Sequence, residues 1–178
     1  EAIRRGLPGI CFTDHLDYDY REEPGLFDLD VETYYHTIHA LQEKYQKEIP
    51  ILCGIEIGLQ PHLVAENREI TKLYPLDFVI GSSHVVHGID PYYARYYDNR
   101  SEQEAYMEYF ESILENITSD ADYDVYGHLD YVVRYGPNKN RFYTYQTYQD
   151  IIDEILRQLI AHGKGIEINT AGFKYGLG

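Results

Sequence analysis

Short, almost wholly apolar runs recur along this chain between longer stretches of helical period, and that alternation constrains the fold more than any other feature. The runs span 8–13, 49–57, 77–82, 124–128 and 165–169. A strand with no polar face is buried on both sides, as in a parallel sheet covered by helices. The stretches between carry helix punctuation. Asp30 stands before a stripe of Val31, Tyr34, Tyr35, Ile38, Leu41 and Tyr45, and Pro61 suits a first helical position. Ser101 and Glu104 have capping-box spacing ahead of Tyr106, Tyr109, Phe110, Ile113, Leu114 and Ile117. A further stripe begins near Thr147 and stops at Gly163. Strand and helix in repeated alternation imply an α/β fold with mainly parallel strands. No linker or low-complexity segment divides the 178 residues, so residues 1–178 are expected to form a single domain.

Thirty acidic residues against fifteen basic ones give a net charge of −15, which repels phosphate backbones and anionic surfaces, so neither a nucleic-acid nor a membrane partner is expected. No apolar run approaches the roughly 20 residues of a membrane span. Cys11 and Cys53 both lie in apolar runs and read as buried free thiols, which fits a cytoplasmic location. Twenty tyrosines and no tryptophan are unusual; those in 92–97 and 131–148 are candidates to line a cleft, with partly buried core tyrosine as the plainer reading.

A metal-capable or acidic residue stands at or near the end of every apolar run: His15, Glu56, His84, His128 and Glu167. Each is separated from the next by enough chain for a loop, a helix and a new strand. In a barrel of βα units all parallel strands end on one face, so these residues are expected to converge at its C-terminal mouth. One such histidine alone is an ordinary structural residue; the set is a site. Imidazoles with a carboxylate suit Zn, Mn or Fe better than Mg or Ca. Two or more such ions could share Glu56 and hold an activated water.

The local sequences are Thr13-Asp14-His15, Gly54-Ile55-Glu56, Gly81-Ser82-Ser83-His84, Gly127-His128-Leu129-Asp130 and Glu167-Ile168-Asn169-Thr170. Their order and spacing resemble the PHP (polymerase and histidinol phosphatase) superfamily across nearly the whole chain. Arg134-Tyr135-Gly136-Pro137 and Asn169-Thr170-Ala171-Gly172 point to its histidinol-phosphatase branch. The resemblance implies a distorted (βα)7 TIM-like barrel with two or three divalent metal ions. It assigns His15 to a third metal site, Glu56 to a bridge between the first two, and His84 and His128 to the second. Glu56 and His128 are then the expected catalytic pair, and Asp130 an orienting carboxylate.

The family also opens with a strand bearing His-x-His and closes with one bearing Asp-x-His, and this sequence has neither. An incomplete barrel is therefore expected, lacking the first strand and the last, with half of the metal ligands outside the chain. Its open edges at 9–13 and 165–169 are expected to aggregate or to pair in a homodimer. His36, His39, His62 and His162 read as helix-flank or helix-end residues.

The expected function is hydrolysis of a small phosphate ester, foremost L-histidinol phosphate in histidine biosynthesis. The alternatives are another PHP phosphoesterase or nuclease, and a non-catalytic barrel remnant. Arg134 is the expected phosphate clamp, Asn169 a residue orienting the ester, and His87 a substrate contact from the loop after the third run. Asp14, Asp17 and Asp19, with the tyrosines of 92–97, are the groups available to a substrate amine.

Overall fold

The computed structural model describes residues 1–177. Among them, six strands form one parallel sheet: β1 (Ile10–Phe12), β2 (His15–Leu16), β3 (Ile51–Gly58), β4 (Phe78–Ser82), β5 (Val125–Tyr126) and β6 (Gly165–Ile166). The spatial order is β1-β3-β4-β5-β6, and β2 continues β1 along the same side of β3. Every pairing between these strands is parallel, and each helix follows a strand in sequence: α1 (Val31–Tyr45), α2 (Val64–Leu73), α3 (Glu102–Thr118), α4 (Tyr131–Tyr135) and α5 (Gln149–Ala161) lie between strands, and α6 (Ala171–Tyr175) comes after β6. The α/β architecture read from the alternation is the one observed.

Helix starts follow the sequence closely because their caps are local. Asp30 accepts from the Thr33 amide at 3.0 Å. Ser101 and Glu104 form the reciprocal capping box, with Glu104 N donating to Ser101 Oγ and Ser101 N to Glu104 Oε2. Pro61 opens a single 3-10 turn that runs into α2. Helix α5 ends at Gly163, whose φ of +66° is cheap only for glycine.

Helix α3 carries the core. Tyr106, Tyr109, Phe110, Ile113 and Ile117 are buried along one face and meet Ile55 and Ile57 of β3 and Ile155 and Leu159 of α5. Each such side chain contributes about 1.5 to 3 kcal/mol on burial. The plainer reading of the tyrosines holds for many: Tyr96, Tyr106, Tyr109 and Tyr126 are fully buried, and each hydroxyl finds a partner. Strands β5 and β6 are two residues each, shorter than the apolar runs that contain them, since the ladder ends where the chain turns toward the site.

Candidate metal centre

Strand register brings the predicted residues together. His15 on β2 is paired directly with Glu56 on β3, and Glu56 with Ile80 on β4. His84 follows β4 by two residues and His128 follows β5 by two, so both imidazoles sit beyond the C-terminal ends of neighbouring strands. Gly127 leaves room for this: a Cβ there would overlap Ser82 Oγ, which donates to Glu56 Oε1 at 2.8 Å.

The cluster is tight. His84 Nε2 and His128 Nε2 each lie 3.1 Å from Glu56 Oε1 and 3.3 Å from one another. The other Glu56 oxygen, Oε2, is 3.7 Å from His15 Nε2. His84 Nδ1 lies 2.6 Å from Asp17 Oδ1, and both residues are buried. Facing a carboxylate, that nitrogen carries the hydrogen, so Nε2 is the atom presented to the cluster. Two groups of side chains could each hold a metal ion, His15 with Asp17 and His84, and Glu56 with His84 and His128, with ligand atoms within 4.8 Å of one another. His84 belongs to both.

Burial alone would raise the Glu56 carboxyl, but hydrogen bonding to His128 and His84 and the charge of the imidazoles outweigh it and hold it well below the usual carboxylate range. Burial alone would likewise lower His84; the Asp17 and Glu56 carboxylates push it up to about 10 instead. Three atoms that all carry lone pairs in their metal-binding forms thus meet within 3.3 Å. The same positions suit a divalent cation, and the nitrogen and carboxylate donors match Zn, Mn or Fe.

The surrounding shell is partly what the sequence predicts. Glu167 Oε2 accepts from the His128 backbone N–H at 3.0 Å and is held in turn by Asn169 Nδ2, so Glu167 supports the His128 loop. Asp130 makes no side-chain capping bond at the start of α4, and the carboxylate that orients a cluster imidazole is Asp17. The signal for Asp17 was its position two residues after His15, which on an extended chain places both on one face. Sequence periodicity carries no signal for Asp90. It is buried and accepts from Tyr20 OH at 2.7 Å, Tyr131 OH at 3.0 Å and Tyr92 N at 2.8 Å, tying its own loop to the loop after β2 and to the start of α4. Burial raises its carboxyl above the usual range.

A cavity of about 430 Å³ opens over the cluster and includes His15, Glu56, His84 and His128, with Arg134 and Asn169 also in its wall. Arg134 is buried, its guanidinium 5.7 Å from the centroid of Tyr131 and 5.8 Å from that of Tyr175, and its Nε has no protein partner among the described residues. His87 does not join them. It points to a separate groove and lies 3.1 Å from Glu108 and 3.2 Å from Glu115 of α3. Asp14 and Asp19 are also outside the cavity, Asp19 pairing with Arg21 and His62.

The PHP domain family profile matches residues 1–171. The chain belongs to the PHP domain family. Within it, the chain is 36% identical over 175 residues to the histidinol-phosphatase of Lactococcus lactis, covering 97% of this chain and 64% of that protein. It is 32% identical over 173 residues to a probable histidinol-phosphatase of Clostridium acetobutylicum, covering 96% and 66% respectively. The chain thus spans slightly less than two thirds of the length of these relatives. Among solved structures, it superposes on Lactococcus lactis histidinol phosphate phosphatase, crystallised with Zn, L-histidinol and phosphate, with a TM-score of 0.89 at 35% identity. That match covers 97% of this chain and 65% of the other. A putative histidinol phosphatase of Listeria monocytogenes shares the fold, with a TM-score of 0.82 at 16% identity over 99% of this chain and 76% of that one.

Proposed function

We propose that this chain contributes the metal centre and much of the substrate cavity of a phosphomonoesterase acting on L-histidinol phosphate in histidine biosynthesis. The observation that carries the reading is a shared space: the Glu56, His84 and His128 cluster and the Arg134 guanidinium, whose Nε has no partner among the described residues, border one cavity. The Lactococcus lactis relative, bound to Zn, L-histidinol and phosphate, supports the choice of substrate.

His15, Glu56, His84 and His128 would hold two or three divalent ions, Zn, Mn or Fe, with Glu56 as the bridge because its two oxygens face different imidazoles. Such ions would supply Lewis acidity at phosphoryl oxygens and lower the pKa of a bound water toward neutrality. The chain's own groups do the rest. Arg134 offers a planar fork that matches two phosphate oxygens, and it lies within cation–π range of both Tyr131 and Tyr175. Asp17 keeps His84 Nε2 turned inward, and Ser82 steadies Glu56 Oε1. Asn169 borders the same cavity and would reach the ester through its Nδ2, which also donates to Glu167, since its Oδ1 accepts from the Ala171 amide.

No described helix is long and apolar enough to cross a membrane. The free thiols of Cys11 and Cys53 support a cytoplasmic setting. The outer edges of β1 and β6 and exposed Ile166 and Ile168 support self-association of this chain when it is produced alone.

The test uses the natural-length protein with its metals, assayed for phosphate release from L-histidinol phosphate and for cleavage of single-stranded DNA. Hydrolysis of the monoester far faster than DNA is expected. Comparable rates on the two substrates would overturn the reading.

A further inference from the structure

We infer that Glu23 selects the alcohol half of the substrate, so that the cavity favours phosphomonoesters whose alcohol carries a positive charge; the inference rests on the phosphomonoesterase reading above. Four carboxylates among the described residues border the cavity: Asp17, Glu23, Glu56 and Asp90. Three are already committed. Asp17 is bound to His84, Glu56 receives Ser82 and the two imidazoles, and Asp90 is saturated by Tyr20, Tyr131 and the Tyr92 amide. Glu23 alone stands exposed in the cavity wall, and its one hydrogen bond among the described residues comes from Tyr93 OH to Oε1 at 2.8 Å. Its second oxygen is available to a ligand.

The neighbourhood of Glu23 is suited to a cation and not to a second phosphate. Tyr93 stands edge-on to Tyr92 with ring centroids 5.1 Å apart, and Tyr92 meets Tyr135 at 5.2 Å. Tyr92 is 59% exposed, so its ring is open to a guest. An ammonium or imidazolium brought between these rings and Glu23 would gain a charge-assisted hydrogen bond and a cation–π contact together. Arg134, together with the ions that the His15, Glu56, His84 and His128 cluster would hold, supplies the opposite polarity for the phosphate, so the cavity carries groups for both ends of such an ester. A surface glutamate is ordinarily just solvated. Here its hydroxyl donor, its aromatic neighbours and its place in the same cavity as Arg134 set it apart.

The experiment compares natural-length, metal-loaded wild type and Glu23→Gln on L-histidinol phosphate and on phenyl phosphate, whose alcohol is neutral. Loss of one charge-assisted contact should raise KM for L-histidinol phosphate about tenfold and leave phenyl phosphate within about twofold. Glu23→Asp should recover part of the loss on the cationic ester alone. A change of equal size on both esters, or no change on either, would overturn the assignment. If wild type hydrolyses neither ester, the phosphomonoesterase reading fails, and calorimetric binding of L-histidinol decides the role of Glu23 by itself. Weaker binding by Glu23→Gln would then uphold it, and equal binding would overturn it.

Discussion

Asp17 Oδ1 lies 2.6 Å from His84 Nδ1, and this contact decides which nitrogen of His84 faces Glu56 and His128. Removing the carboxylate while keeping the shape should free the ring to change tautomer. Asp17→Asn is expected to weaken metal binding about 10- to 100-fold, the usual range for such an orienting partner, with the fold retained. Titration of the metal-stripped proteins with zinc, read by calorimetry, checks this. Asp130→Asn, at the position first expected to play that part, should bind zinc like wild type.

Gly58 is the residue that makes the Asp17 contact possible. A Cβ at position 58 would overlap the Asp17 carboxylate, which is buried and has nowhere to retreat. Gly58→Ala should therefore cost about 1 to 3 kcal/mol of stability by overpacking and also weaken zinc binding, two effects measurable on one sample by chemical denaturation and titration. Normal stability and normal zinc affinity together would refute the packing argument.

The alternation of apolar runs and capped helices was enough to read the architecture, because Asp30, Ser101 with Glu104, and Gly163 act within a few residues of themselves. The cluster of His15, Glu56, His84 and His128 was legible for a different reason: parallel strands all end on one face, so position relative to a strand end predicts convergence. What escaped were contacts made across loops. Asp90 sits in a loop whose path no periodicity encodes, and its tyrosine partners come from the loop after β2 and the first residue of α4. His87 follows a site strand as the other histidines do, yet its positive φ of 48° belongs to a loop that directs it to the acidic face of α3.

That displacement of His87 gives a paired test with Arg134. In the natural-length protein, His87→Ala should leave KM for L-histidinol phosphate unchanged, since its imidazole is engaged by Glu108 and Glu115 outside the cavity. Arg134→Ala should raise KM about tenfold or more through loss of charged hydrogen bonds to phosphate. Steady-state kinetics with the two variants checks both, and the reverse order of effects would contradict the placement.

Cys53 offers a pH test away from the site. Burial, and then the charge of Asp77, push its thiol up to about 11, while an unfolded cysteine titrates near about 8.5. The folded protein therefore holds this proton more tightly. The stability associated with it is intact below about pH 8.5 and is lost as pH rises toward about 11. Iodoacetamide at pH 8, followed by mass spectrometry, should label Cys53 only after denaturation. Rapid labelling in the native state would show that the β3 core around it is open.

Glu56 Oε1 meets His84 and His128 while Oε2 faces His15, the arrangement expected of a carboxylate shared between two metal ions. Elemental analysis of the purified natural-length protein and its Glu56→Gln variant measures whether the carboxylate plays that part. The variant is expected to lose at least one equivalent of bound metal relative to wild type, and to lose more than His15→Ala does. Equal metal content in wild type and Glu56→Gln would contradict the bridging role and the metal centre built around it.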